Sequence, residues 1–137
     1  MANEAVLNDR THEPINFTVA DGAAIEKGAV LKMTDNRVAI INSGVNDILA
    51  GINAREKILS DGRTSTPVFR RGVFTLTASG SITTGDAVAV AAEVNHVWSA
   101  LATTKSGSIL GHALMDATDN QTLQIDVDVG SGTNAVS

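Results

Sequence analysis

The sequence predicts an all-β protein built from two related copies of one strand motif. Short apolar runs rich in β-branched residues alternate with turn residues roughly every ten positions. Val, Ala, Thr and Gly dominate these runs, which suits closely approaching pleated strands. Residues 25–33 (IEKGAVLKM), a glycine turn followed by an apolar strand, recur as residues 82–90 (ITTGDAVAV). We therefore expect a compact β-barrel or sandwich.

Further landmarks recur in the same order, about 57 to 60 residues apart. They pair Val38 with Val97, Gly51 with Gly111, Asp61 with Asp119, and Gly72 with Gly130. We interpret residues 17–130 as a single β domain made of degenerate copies at about 17–78 and 79–130. Glycine at a repeated position indicates a backbone that side chains would hinder. The predicted structural turns are at Gly28, Gly51, Gly72, Gly85, Gly111 and Gly130.

Residues 1–16 are polar and mixed in charge, and Pro14 interrupts regular pairing. They are predicted to form an extended N-terminal arm, with terminal disorder and ordering on a partner surface as two open alternatives. The predicted strands are residues 17–20, 25–33, 37–41, 48–54, 66–69, 72–78, 87–92, 97–100, 109–115 and 123–129. One short helix is predicted at residues 54–59, and residues 131–137 are expected to form a flexible tail.

Composition argues against several classes of function. The chain has 10 Lys and Arg against 15 Asp and Glu, and its only adjacent basic pair is Arg70-Arg71, so no basic stripe for nucleic acid is visible. Aromatic residues make up only 3%, too few for base-stacking or sugar-binding platforms. The absence of cysteine excludes disulfides. No signal peptide or apolar run of membrane-spanning length is apparent.

The sequence shows no reactive constellation. His12, His96 and His112 are too widely spaced for a zinc motif, and Ser106 lacks a supporting base. Asp126 and Asp128 could begin a cation site or an acid–base pair, but solubility alone also places carboxylates on an outer strand face. The charged run at residues 55–57 is interpreted as a solvated face. We expect no catalytic residue, cofactor or metal, and therefore a binding or structural protein.

A further pattern lies in residues 1–7 (MANEAVL), 15–22 (INFTVADG), 25–28 (IEKG), 31–35 (LKMTD), 50–52 (AGI), 54–57 (AREK), 61–62 (DG) and 71–72 (RG). Together these segments resemble the capsid decoration, or head cement, proteins of tailed bacteriophages. The resemblance implies a non-enzymatic β domain on the outer surface of the virion capsid, made in the host cytoplasm. It also implies homotrimers at three-fold and quasi-three-fold positions, which stabilise contacts between major capsid protein subunits without binding nucleic acid or membrane.

In this interpretation the arm adds a strand to the edge of a capsid sheet. Its candidate residues are Asn3, Glu4, Val6, Leu7, Arg10, Pro14 and Ile15. Three alternatives stay open: a β-barrel module that binds a ligand or carbohydrate, a hydrolase that uses Asp126 and Asp128, and a phage tail or fibre component. The lack of an aromatic cluster disfavours the first, and the presence of only two copies disfavours the last.

Overall fold

The computed structural model describes residues 4–42, 44, 47–91, 95–100, 104 and 106–129, and within them the fold is all-β, as predicted. The strands are β1 (Val6–Asp9), β2 (Ile15–Thr18), β3 (Val30–Asp35), β4 (Val38–Ile41), β5 (Leu49–Asn53), β6 (Ser65–Phe69), β7 (Arg71–Ala78), β8 (Ala87–Val90), β9 (His96–Ser99), β10 (Ile109–Ala113) and β11 (Thr122–Asp128). A single 3-10 turn, Ser106–Ser108, precedes β10.

Ten of these strands form two small barrels with the same connectivity. The first closes in the order β2-β4-β3-β5-β6, and the second follows the matching order β7-β9-β8-β10-β11. Neighbouring strands are antiparallel except for one pair in each barrel, β2–β4 and β7–β9, which are parallel. The prediction that one motif is used twice is therefore confirmed at the level of strand order and direction.

The chain passes from the first barrel to the second through Arg70, which alone separates β6 from β7. The strand Arg71–Ala78, which the sequence had assigned to the first copy, lies in the second barrel. A connection of one residue carries no turn composition, whereas the Ser-Gly-Ser segment after Ala78 is a strong turn signal. The boundary between the two copies was therefore placed after Ala78, at the C-terminal end of β7, whereas it lies before Arg71, at the N-terminal end.

Equivalent turns in the two barrels share backbone geometry. Gly28 and Gly85 have φ angles of 89° and 90°, and their N–H groups donate to the carbonyl oxygens of Asn53 and Ala113, both at 2.8 Å. Isolated bridges join Ile25 to Lys57 in the first barrel and Ile82 to Ala117 in the second. The repeated motif at residues 25–33 and 82–90 thus forms a turn that enters β3 or β8, and regular pairing begins only at Val30 and Ala87.

Three of the other glycines lie within strands and not at turns. Gly51 belongs to β5, Gly111 to β10 and Gly72 to β7, while Gly130 lies outside the described residues. A Cβ atom at Gly51 would collide with the carbonyl oxygen of Phe69, and one at Gly111 would collide with that of Asp126. These two glycines are therefore required by close strand approach.

One hydrophobic core continues through both barrels. Val30, Ile52 and Phe69 of the first barrel belong to the same buried cluster as residues of the second barrel. Those second-barrel residues include Phe74, Leu76, Val88, Leu110, Leu123, Ile125 and Val127. A separate cluster around Phe17 and Leu31 fills the first barrel. Apolar and polar residues alternate in the sequence of β11, which predicts that Leu123, Ile125, Val127 and Val129 face inward. The first three are buried, whereas Val129 is only partly buried.

The helix predicted at residues 54–59 is not formed. Lys57 instead pairs its N–H and carbonyl groups with the backbone of Ile25, at 2.7 and 2.9 Å. The Asn53 side-chain amide donates to the carbonyl of Arg55 at 2.7 Å. In a helix this carbonyl would instead accept a backbone hydrogen bond. Lys57 is also buried, so the prediction that residues 55–57 form a solvated face is wrong for this residue.

The described part of the predicted arm is ordered on its own molecule. β1 pairs antiparallel with β7 of the second barrel, and the Ala5 N–H donates to the Gly28 carbonyl of the first barrel at 2.8 Å. Ile15 and Asn16 already belong to β2. The N-terminal segment therefore joins the two barrels, and β1 has no counterpart in the internal duplication.

We predict that Gly28→Ala destabilises the protein more than Gly85→Ala. Both residues have a left-handed φ, which costs a residue with a Cβ about 1–2 kcal/mol. A Cβ at Gly28 would also displace Ala5 and Glu4, whereas one at Gly85 meets nothing within 4 Å. Chemical unfolding of both variants beside the wild type would measure the difference. Equal losses would contradict the docking of residues 4–5 on Gly28.

Candidate interaction surface at the N-terminal strand

β1 presents an exposed strand edge. All four of its residues are exposed, including the apolar side chains of Val6 and Leu7 at 59% and 37%. Its register places Val6 opposite Thr75 and Leu7 opposite Phe74, with an irregularity before Asp9. β1 is the terminal strand of its sheet, so its outer edge is unpaired among the described strands. Unpaired edges of this kind are sites where another chain can add a strand.

A groove lies where β1 crosses the junction between the barrels. It encloses a cavity of about 200 Å³ lined by Ala5, Leu7, Arg10, Lys27, Gly28, Asn53, Ala54, Phe69 and Phe74. A more open hollow of about 560 Å³ is lined by Glu4, Ala5, Val6, Leu7 and Lys27. Both linings are mainly apolar; the charged residues are Arg10 and Lys27 in the cavity and Glu4 and Lys27 in the open hollow. We refer to this region, one side of which is formed by residues 4–10, as the first groove.

Aromatic packing stabilises the floor of the first groove. The Phe69 and Phe74 rings meet edge to face with centroids 5.6 Å apart, which joins the end of β6 to β7. The Arg10 guanidinium lies 5.6 Å from the centroid of the Phe69 ring, and its Nη2 donates to Glu13 at 2.6 Å. Cation–π contact with an aromatic ring contributes modestly at an exposed site. Arg10 therefore holds the chain against the barrel as it leaves β1.

The structure brings together four of the candidate arm residues. Glu4 lies against Gly28, Val6 and Leu7 are on β1, and Arg10 covers Phe69. Ile15 is separate because it begins β2 in the first barrel, and Pro14 is half-buried in the connection. Asn3 lies outside the described residues. Sequence reasoning did not include Lys27 and Phe69 among the candidate site residues. The only sequence signal beside them was the repeated turn at Gly28.

A second exposed apolar feature depends on the buried Lys57. Its ammonium group donates to the carbonyls of Asp21 at 2.8 Å and Ile58 at 3.2 Å, and to Asp61 Oδ1 at 3.1 Å. These contacts fix a turn in which Ile58 and Leu59 are 62% and 59% exposed. Sequence reasoning missed this arrangement because its partners come from separate segments.

The Asp61 carboxylate is strongly stabilised in its charged form. The N–H of Arg63 is the largest cause that lowers the pKa of Asp61, to about 2, with further contributions from Lys57 and the Ile58 N–H. Partial burial opposes the effect of these contacts on the pKa of Asp61.

In the second barrel Ala117 takes the bridge position of Lys57. A shallow hollow of about 260 Å³ lies beside it, lined by Ser81, Ile82, Thr83, Asp116, Ala117, Thr118 and Gln121. Hydrogen bonds from the Thr84 N–H and hydroxyl lower the pKa of Asp116.

The carboxylates singled out from the sequence do not form a cluster. Asp126 is exposed on β11, and Asp128 lies 3.2 Å from the Arg71 Nε atom. Within the described residues there is no group of three or more His, Cys, Asp or Glu side chains that could hold a metal ion. No helix in that part of the chain could cross a membrane.

The described residues define a two-barrel β protein with an exposed apolar strand edge and an adjoining groove. The family model of the phage cement proteins matches residues 10–129. The chain belongs to this family, and it is a structural protein of phage particles. No curated protein matches the chain.

We predict that acid weakens the fold through Asp61. Because the folded-state pKa of about 2 lies below the ordinary value of 3.8, this carboxylate stabilises the protein above pH 3.8 and loses that effect as the pH falls toward 2. Asp61→Asn should be less stable than the wild type at neutral pH, and the difference should narrow through this window. Thermal unfolding from pH 2 to 7 would show it.

Asp126→Asn is the matched control, because Asp126 is an exposed carboxylate outside the Lys57 turn. Its stability should follow the wild type across the same pH range. A gap between Asp61→Asn and the wild type that stays constant down to pH 2 would contradict the role given to Asp61.

Proposed function

We propose that the chain attaches to the outer surface of the phage head and stabilises contacts between major capsid protein subunits. Membership of the phage cement proteins supports a role in the particle. The observation that carries the proposal is β1, a pre-ordered edge strand with exposed Val6 and Leu7 side chains. In this proposal the protein works without enzyme activity and without a cofactor.

Attachment through β1 uses backbone pairing and apolar burial together. A capsid strand that pairs with the outer edge of β1 extends the sheet that already contains β7 and β11. Val6 and Leu7 then lose exposed area, which contributes about 25 cal/mol for each Å² of apolar surface removed from water. Because β7 and Gly28 already hold this segment in place, little ordering entropy is lost on binding.

The same proposal includes homotrimers at three-fold and quasi-three-fold positions of the capsid. Three linked copies of β1 would engage three subunit contacts at once, so modest affinity at each edge would add up. The virion surface is then the working location, after synthesis in the host cytoplasm. Light scattering of the purified protein, and of protein released from shells, would test the trimer.

We predict that Val6→Asp weakens binding to empty capsids of the phage that encodes the protein. Val6 is 59% exposed, so the substitution should change the free energy of unfolding by less than about 0.5 kcal/mol. A charge placed within an apolar contact should weaken attachment at least tenfold. Co-sedimentation with shells across a range of protein concentrations would measure this.

Ile40→Asp on β4 is the matched control, because Ile40 is an exposed β-branched residue of the other barrel. Deletion of residues 1–16 is a poorer test, since it removes Ile15 and Asn16 from β2. Wild-type binding by Val6→Asp would rule out β1 as the attachment edge.

A further inference from the structure

The first groove contains a positive charge that no described side chain pairs with. Lys27 lines both the cavity and the open hollow, and within the described residues its ammonium group makes no hydrogen bond or ion pair. Glu4 lines the hollow as well, yet no ion pair joins its carboxylate to Lys27. Arg10, the other cation of the cavity, lies over the Phe69 ring and donates to Glu13 at 2.6 Å. The groove therefore favours a negatively charged group on the segment that enters it.

The backbone turn beside the groove does not depend on the Lys27 side chain. The equivalent of Lys27 in the second barrel is Thr84, because each residue directly precedes the glycine of the repeated turn. The N–H and hydroxyl of Thr84 donate to Asp116 at 2.7 and 3.0 Å. In the first barrel the Gly28 N–H donates to the Asn53 carbonyl and holds the turn, and the Lys27 side chain adds no polar contact among the described residues. The Lys27 ammonium group is thus available to a partner.

The rest of the cavity lining suits an apolar side chain. Its apolar part consists of Ala5, Leu7, Gly28, Ala54, Phe69 and Phe74. Asn53 also belongs to the lining, but the polar atoms of its side chain are already used. Its amide donates to the carbonyls of Glu26 and Arg55, and its oxygen accepts the Thr66 hydroxyl at 2.6 Å. Because an apolar cavity of about 150 Å³ can hold benzene, this cavity of about 200 Å³ has room for one large apolar side chain.

We propose that the first groove binds an extended segment of a capsid subunit that carries a large apolar residue and, two positions away, an Asp or Glu. Side chains two positions apart lie on the same face of a strand, so one enters the cavity while the other pairs with Lys27. The hollow beside the cavity is lined by Val6 and Leu7 of β1, so a strand that pairs with β1 passes the groove. This inference rests on the proposed attachment of β1 to the capsid and adds the chemistry of the segment that is recognised.

The two parts of the segment have different effects on binding. Burial of a large side chain in a pocket at the centre of an interface supplies most of the affinity. The carboxylate adds a charge-assisted contact with Lys27, which fixes the register of the segment along β1. A segment with Lys or Arg at the same place would be repelled by Lys27 and Arg10, so the groove also discriminates between partners.

Two matched peptides test the groove itself. Acetyl-Val-Phe-Thr-Glu-Val-amide, added to the isotopically labelled full-length protein, should shift the amide resonances of Lys27, Gly28 and Ala54 in a saturable manner. The same peptide with Lys in place of Glu should bind about fivefold more weakly, and Lys27→Met should reduce this difference. No shifts at these residues, or equal binding of the two peptides to the wild type, would overturn the proposal. So would binding that appears only after residues 1–3 are deleted, because those residues would then occupy the groove.

Binding to empty capsids shows whether the groove is used on the particle. Lys27→Glu should bind shells about tenfold more weakly than the wild type, with unchanged thermal stability because Lys27 is exposed. Arg55→Glu is the matched control, since Arg55 is also exposed and lies outside both linings, while the change in net charge is the same. It should bind as the wild type does.

The possible outcomes separate this inference from the proposed function. If the wild type and Lys27→Glu bind shells equally, the groove is not used, although the proposed function stands. If the wild type does not bind, the proposed function itself fails and this inference fails with it. If Lys27→Glu abolishes self-association and leaves shell binding intact, a second copy of the chain fills the groove and the capsid segment is the wrong occupant.

Discussion

The structure depends on two close backbone approaches, at Gly51 and Gly111. Each glycine brings its strand against the next one so tightly that a Cβ would strike a carbonyl oxygen. In both barrels the register beside these positions is irregular, between Leu31 and Lys32 and between Ile109 and Gly111. A barrel of five strands must curve sharply, and glycines with local irregularities permit that curvature. Without them neither sheet would close around its apolar side chains.

Closure of two barrels from one motif also explains how they are joined. With Arg70 as the only link between β6 and β7, the barrels pack directly and share the core that contains Phe69 and Phe74. β1 adds a second connection by pairing with β7 while Ala5 contacts Gly28. Two separate connections therefore cross one junction and hold the two barrels together.

The sequence predicted local features correctly. It failed where contacts between residues that are distant in the sequence determine the structure. Short sequence patterns indicate the glycine turns at residues 28 and 85 and the alternation in β11. The structure contains both features. Lys57 could be placed only by knowing that Asp21 and Asp61 would converge on its ammonium group. Asp61 was matched with Asp119, yet its equivalent is Gln121, since both side chains accept the N–H of the residue three positions earlier. The match of Asp61 with Asp119, made by residue type, was therefore wrong, and the shared hydrogen-bond pattern identifies Gln121 as the equivalent residue.

The departures from symmetry are more informative than the symmetry itself. Core positions kept their character in both copies, as Phe17 and Leu76 illustrate by being buried in equivalent strands. The positions of Ala54 and Phe69 are taken by Leu114 and Asp126 in the second barrel. Because the strand pairing at these positions is the same in both barrels, the backbone does not account for the differences. In the first barrel Ala5 lies on Gly28 and Arg10 covers Phe69, so the side chains there match the N-terminal segment that packs on them.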